Sequence, residues 1–221
     1  RGLGDVYKRQ DLAGVYERLE DWANAQAYFE WAFSLSNGDT ALQTRAEKAK
    51  DKVKAAEMAD LEARAAENPD DPEVKAMLEE QRKVRIAEAV DDAKRRVEQN
   101  PTDPTLRFEL GQALYDSGDF SGAIPQLQQA KRNPHIQSKV LLLLGRTFKA
   151  KSMLDMGVKQ LESALEDLVA MDNTKKEILY EKGLIHDEMG DKDSAIECFK
   201  EIYEVDYGYR DVASRVEASY G

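Results

Sequence analysis

Three glycines, Gly111, Gly145 and Gly183, stand 34 and 38 residues apart, and each is followed at fixed offsets by the same two kinds of residue. Twelve residues on comes a small one, Ala123, Gly157 or Ala195. Four further comes a bulky apolar one, Leu127, Leu161 or Phe199. That recurrence constrains the fold more than any other feature of the chain. Between each glycine and its small partner lies a turn, "DSGD", "AKSM" or "EMGD", so each unit reads as two short antiparallel helices. Glycine on one helix and a small residue on the other let the two backbones approach closely, and the large residue one turn on plugs the groove between them. One such hairpin cannot bury its apolar face alone, so neighbours must stack.

An earlier stretch, "DLAGVYERLEDWANAQAYFEWAFSLSN", fits the same scheme. Leu12 and Tyr16 lie on its first helix, and Ala25, Phe29 and Ala32 on its second. Between Asn37 and Asn100 the texture changes. "TALQTRAEKAKDKVKAAEMADLEARAAEN" has no glycine or proline and reads as one long helix with a stripe of Leu42, Ala46, Ala49, Val53 and Ala56. "NPDDPE" supplies a stop, a turn and an acidic helix start. A second long helix from about Glu73 to Gln99 carries Met77 and Val84, then Ile86, Val90, Ala93 and Val97, with a phase jump near Arg85. The pair reads as a long, coiled-coil-like antiparallel hairpin, or else as a solvent-exposed helix with a mobile turn. At the end, "YGYRDVASRVEASY" places Val212, Val216 and Tyr220 on one helical face, suited to capping the last hairpin.

A ~34-residue helix–turn–helix with Leu-Gly, a downstream alanine and an aromatic resembles the tetratricopeptide repeat, or TPR. "ELGQALYDSGDFSGAIPQLQQA" carries the resemblance best, with Leu110, Gly111, Gly118, Ala123 and Ala130 in place. The second unit departs at Gly157 and at Ser152, where the turn glycine is missing. The third departs at Lys182 and His186. The longer second spacing implies extra helix or loop around "EDLVAMDN". The resemblance implies an all-α fold: a TPR-like helix-turn-helix solenoid with an elongated antiparallel helical hairpin. Its expected divisions are a truncated TPR-like unit at 11–38, the long hairpin at 39–100, three TPR-like repeats at 101–207 and a capping helix at 208–221. Repeat packing falls to Ala25, Phe29, Gly111, Ala123, Gly145, Gly157, Gly183, Ala195 and Phe199.

The resemblance also implies a function, since the first helices of such arrays line a concave groove that holds extended or helical peptides. By position, the groove candidates here are Phe108, Gln112 and Tyr115, then Leu142, Arg146 and Lys149, then Tyr180, Leu184 and Asp187. Aromatic and arginine side chains are the usual anchors of interfaces. For Phe108, Leu142 and Tyr180 singly, packing of repeat on repeat is an equal reading; as a group, the nine are read as a groove. The family's terminal-carboxylate clamp is not expected, because its asparagines have no counterpart beside Arg146 and Lys149. The reading is therefore a non-catalytic scaffold for a protein or peptide partner. Its alternative is a structural protein that self-associates as a homo-oligomer through the hairpin at 41–99.

Composition argues against other classes. The net charge is −11, with 34% charged residues. Nucleic-acid partners are not expected, because their affinity comes from cations that neutralise phosphates. The negative charge serves solubility, or a basic partner segment. The single cysteine, Cys198, leaves no disulfide framework and lies in the helical stretch "SAIECFKEIY", as a small buried residue would. His135 and His186 lack the spacing of a metal pair, and Asp187 and Glu188 beside His186 are ordinary in so acidic a chain. No Walker loop, G-x-S-x-G or Cys-His pair is present, so no cofactor, metal or catalytic residue is expected. "VLLLLG" falls far short of the ~18–20 apolar residues of a membrane span.

The first ten residues, "RGLGDVYKRQ", mimic a phosphate loop with a basic cluster. They also back-translate, in one frame, to a string that looks like a transposase adaptor used in sequencing-library preparation, and the match stops at Asp11. Residues 1–10 are accordingly read as translated adaptor. Residues 11–221 are then expected to be the C-terminal fragment of a bacterial-type protein, of metagenomic origin. Its localisation is left open, with the cytoplasm favoured.

Overall fold

The computed structural model describes residues 2–36, 38–166 and 168–220, with backbone alone for residues 2–5, and among them it is all α-helix. In chain order the helices are α1 (Gly2–Arg18), α2 (Trp22–Leu35), α3 (Thr40–Glu67), α4 (Pro72–Gln99), α5 (Pro104–Asp116) and α6 (Phe120–Ala130). Then come α7 (Gln137–Ala150), α8 (Leu154–Leu165), α9 (Asn173–Glu188), α10 (Lys192–Tyr203) and α11 (Val212–Ala218). Aspartates account for many of the starts. Asp21, Asp39, Asp103, Asp119, Asp172 and Asp191 each accept a hydrogen bond from a first-turn backbone N–H. Part of the chain's acidity is thus helix capping.

The chain divides into two compact units, residues 1–82 and 83–221. In the first, α1 and α2 pair as a hairpin and α2 packs on α3. Their core joins Val6, Ala13, Ala25, Phe29 and Ala32 with Leu42, Ala46 and Ala49. Residues 2–10 continue α1 toward its N-terminus instead of forming a loop. Val6 sits two turns before Ala13, on the same buried face. Ala13 occupies the place that glycine holds in the later hairpins, twelve residues before the buried Ala25. The expected α3 stripe holds through Ala49 and then shifts: Ala56 is exposed, and Met58 and Leu61 are buried.

In the second unit three hairpins, α5–α6, α7–α8 and α9–α10, stack in series, α6 on α7 and α8 on α9. The last three turns of α4 contribute Val90, Ala93 and Val97 to the same core, where they join Leu110 and Leu114. Met77 and Val84, before the phase jump, are exposed. Helix α7 is enclosed by α5, α6, α8 and α9. Its run from Val140 to Gly145 is therefore buried without interruption, which is why "VLLLLG" is apolar all round.

The glycine-and-plug pairs meet as the spacing predicts. A Cβ on Gly111 would lie 2.5 Å from Leu127 Cδ2, one on Gly145 2.6 Å from Leu161 Cδ2, and one on Gly183 2.6 Å from Phe199 Cε1. Gly157 also has a local reason. A Cβ there would come within 3.0 Å of Ile185 Cδ1 and 3.1 Å of the Gly145 carbonyl oxygen. The three turns share one backbone form. Gly118 and Gly190 have φ of 81° and 80°, and Ser152 takes the matching place at 57°, a conformation strained for any side chain. Lys182, where the repeat pattern has leucine, keeps a half-buried side chain by pairing with Glu162 on α8 at 3.1 Å.

Helix α11 lies on α10. Val212 and Val216 are buried with Tyr180, Phe199 and Ile202, whereas Tyr220 is exposed and stacks under the Lys200 ammonium.

Candidate functional site

Of the first helices of the three hairpins, α5, α7 and α9, the middle one, α7, neighbours the other two. Their shared side holds a depression of about 450 Å3 walled by Tyr115, Arg146, Lys149, Ser152, Glu181 and Glu188. Three residues expected in a groove, one from α5 and two from α7, thus line one surface feature.

Arg146 is the centre of its charge. Its guanidinium, about one quarter exposed, donates to Glu177 at 2.7 Å and to Glu181 at 2.8 Å, both on α9. Arg210 approaches Glu177 from the C-terminal side at 3.5 Å. Burial works against the charged guanidinium, but the bond to Glu177 and the charge of Glu181 outweigh it and hold the pKa of Arg146 above its ordinary value. Beside it, burial pushes the Tyr115 hydroxyl pKa up. The charge of Arg146 opposes that push, and Glu181 adds to it. Tyr115 also packs its ring on Phe120, with centroids 5.5 Å apart. Lys149 and Glu188 have no ion-pair partner among the described residues.

The other six candidates are placed differently. Phe108 packs against the main core and Leu142 is buried within it. Gln112 donates to Asp116 at 2.9 Å and is not among the residues that wall the depression. Tyr180 is buried against Phe199 and Tyr209, and its hydroxyl donates to Asp211 at 2.7 Å. Leu184 is half-buried in the C-terminal core. Asp187 faces the other way along the array. It pairs with Arg215 at 3.1 Å and borders a second cleft, of about 720 Å3, between α10 and α11.

Sequence reasoning did not find Glu177, Glu181 or Glu188. They belong to the site because α9 lies beside α7, and the only sequence signal was the excess of acid in "NTKKEILYEKGLIHDEMG". His135 is exposed. His186 is half-buried, with its Nδ1 3.3 Å from Asp191, in poor geometry for a hydrogen bond. Cys198 is buried, and burial raises its thiol pKa to about 11, away from the nucleophilic range. Among the described residues, no three His, Cys, Asp or Glu side chains gather as metal ligands, and no helix is long and apolar enough to cross a membrane.

With fold and site in place, comparison with known proteins gives the class. Residues 176–209, covering most of α9 and all of α10, match the family model described as tetratricopeptide repeat. The matched unit is the one that departs at Lys182 and His186. It keeps the turn glycine, the capping aspartate and the Ala195–Phe199 pair. No curated protein matches the chain. Among solved structures, the C-terminal part of a TPR repeat-containing protein from Cytophaga hutchinsonii aligns with a TM-score of 0.63 at 17% identity, covering 96% of this chain and 87% of that one. YrrB, described as a TPR protein with an unusual peptide-binding site, aligns with a TM-score of 0.51 at 15% identity, covering 96% of this chain and 91% of that one. PilW, a widely conserved type IV pilus biogenesis factor, aligns with a TM-score of 0.54 at 15% identity, covering 98% of each. The fold is thus that of an all-α helical-repeat protein. Residues 176–209 match a tetratricopeptide repeat, and the fold of the chain is like that of solved TPR proteins.

Proposed function

We propose that this chain is a non-catalytic scaffold that holds a protein or peptide segment on the face formed by α5, α7 and α9. The observation that carries the reading is the convergence of Tyr115, Arg146 and Lys149 on one depression at the junction of all three first helices. Tyrosine and arginine are the residue types that most often anchor interfaces. The reading is supported by YrrB, a protein of the same fold described as having an unusual peptide-binding site. Arg146 and Glu181 on this face are engaged with each other, whereas Lys149 and Glu188 have no ion-pair partner among the described residues. A chain of net charge −11 is a poor partner for nucleic-acid phosphates.

The test is capture of a partner from lysate by the full chain, compared with a Tyr115→Ala/Lys149→Ala variant. Both residues leave the Arg146 ion pairs in place, so the fold should be retained, as checked by circular dichroism. Loss of the captured partner is expected. Equal recovery by the folded variant overturns the reading.

A second reading, self-association through residues 41–99, is supported by the exposure of Met77 and Val84, one heptad apart on α4. Light scattering on Met77→Glu/Val84→Glu decides it. The expected result is a drop from oligomer to monomer, and a parent chain that is already monomeric excludes it.

A further inference from the structure

We propose that the first hairpin docks on the first hairpin of a second copy of this chain, α1 against α1 in antiparallel orientation, to form a two-fold dimer. The surface is the side of α1 and α2 that faces away from α3. Arg45 of α3 lies beside Gly14 and pairs with Glu17 at 2.6 Å, which marks the side of α1 already covered. On the opposite side Leu12, Val15 and Leu19 form a stripe at helical spacing, and are 42, 40 and 70% exposed. Trp31 and Leu35 widen the surface on α2, each about half exposed. Tyr28 joins the two helices, stacked on Tyr16 with centroids 5.4 Å apart and packed on Trp31 at 6.2 Å.

The later hairpins indicate what such a surface is built to meet. Counted from Ala13 and Gly183, Leu12 and Val15 hold the places of Lys182 and Ile185 in α9. There both positions turn to a neighbouring helix. Lys182 pairs with Glu162 of α8, and Ile185 is fully buried against Gly157 of α8. On α2, Trp31 stands where the later hairpins carry Gln129, Ser163 and Glu201, so the surface is more apolar than repeat stacking requires. Tryptophan and tyrosine are common interface anchors.

The charged flank selects the helix that fits. Asp11 and Arg18 border the stripe on the side away from α2, one heptad apart, and both are exposed. Neither has an ion-pair partner among the described residues. With Leu12 and Leu19 as core positions of a heptad, Asp11 and Arg18 are successive flanking positions of the same kind. Flanking positions of one kind face each other across an antiparallel pair, so Asp11 of each copy meets Arg18 of the other, twice about the two-fold axis. The surface is thus complementary to itself in both shape and charge, and such a contact closes at two copies. It shares no residue with the hairpin at 41–99 or with the depression at Tyr115 and Arg146, and every residue named in it lies beyond the first ten.

The experiment is sedimentation equilibrium on the full chain over a range of concentrations. A monomer–dimer equilibrium is expected, and Leu12→Glu/Leu19→Glu should leave monomer only. Both side chains are exposed, so helix content by circular dichroism should match the parent. Charge reversal supplies a second, milder test. Asp11→Arg alone, or Arg18→Asp alone, should weaken the dimer about three- to tenfold, and the swap Asp11→Arg/Arg18→Asp should restore it. A chain that is monomeric at every concentration overturns the proposal. So does a dimer that survives Leu12→Glu/Leu19→Glu, or one that Met77→Glu/Val84→Glu dissociates in its place, since association then runs through residues 41–99. A swap that fails to restore the dimer overturns the antiparallel pairing of α1 with α1.

Discussion

Single residues at the helix crossings illustrate how little room the repeat leaves. At Gly183 a methyl group would be driven into the Phe199 ring at 2.6 Å, and that ring is fully buried, packed on Tyr180 and covered by Arg215. Gly183→Ala gains helix propensity but overpacks the crossing, for a net loss of about 1–2 kcal/mol in urea denaturation. Gly14 makes the contrast, since its nearest neighbour for a Cβ is Arg45 Nη2 at an ordinary 3.5 Å. Gly14→Ala is expected to stabilise the chain by about 0.5–1 kcal/mol in the same measurement. The α7–α8 turn departs from its siblings twice. Ser152 carries a side chain at φ 57°, and Met153 stands where Asp119 and Asp191 cap the following helix. Ser152→Gly should therefore add about 1 kcal/mol, and Met153→Asp a further 1 kcal/mol or so, read as a higher denaturation midpoint at unchanged slope.

Helix α11 has only seven residues, too few to be stable by local propensity, and it holds its place through the element beneath it. Val212 and Val216 supply the apolar contact. A polar chain supplies the rest, from the Tyr180 hydroxyl to Asp211, from Arg215 to Asp211 at 2.8 Å, and from Arg215 to Asp187 at 3.1 Å. The hydrogen bond from Tyr180 lowers the pKa of Asp211 below its ordinary 3.8, against a smaller push upward from burial, and Arg215 adds to the lowering. A carboxylate whose folded pKa is depressed contributes stability that is complete above its unfolded value. That stability is lost as pH falls below about 3.8 toward the folded value. Between pH 5 and pH 3, Asp211→Asn should thus lose less stability than the parent chain, as measured by urea titration at each pH. Equal losses would remove Asp211 from this account. Val212 and Val216 were legible as a helical stripe. Tyr180 as the partner of Asp211 was not, because that contact joins residues 31 apart through the turn after α10.

At the scale of the molecule, the core formed by α5 to α8, one face of α9 and the end of α4 lies wholly within residues 83–221, and so does the core under α11. Residues 83–221 expressed alone should therefore unfold cooperatively in a thermal melt followed at 222 nm. A broad, featureless melt would show that the first unit is needed. The glycine, small-residue and plug offsets were legible because each is a contact within one hairpin, where helical geometry and a short turn leave a single register. The long helices α3 and α4 were legible for a similar reason, being uninterrupted runs between proline-bearing stops. The candidate site was legible only as a list of positions. Which of the nine line a surface depended on how one hairpin stacks on the next, a matter of side-chain volumes spread over six helices. Stacking took Leu142 and Tyr180 into the packing and turned Asp187 toward α11. Arg146 was drawn to Glu177 and Glu181, 31 and 35 residues further on, across a spacing that had lengthened to 38. Local periodicity determined the class of fold from the sequence by itself. The charge and shape of the face were decided by tertiary structure, because they are set by residues that meet only when the repeats are stacked.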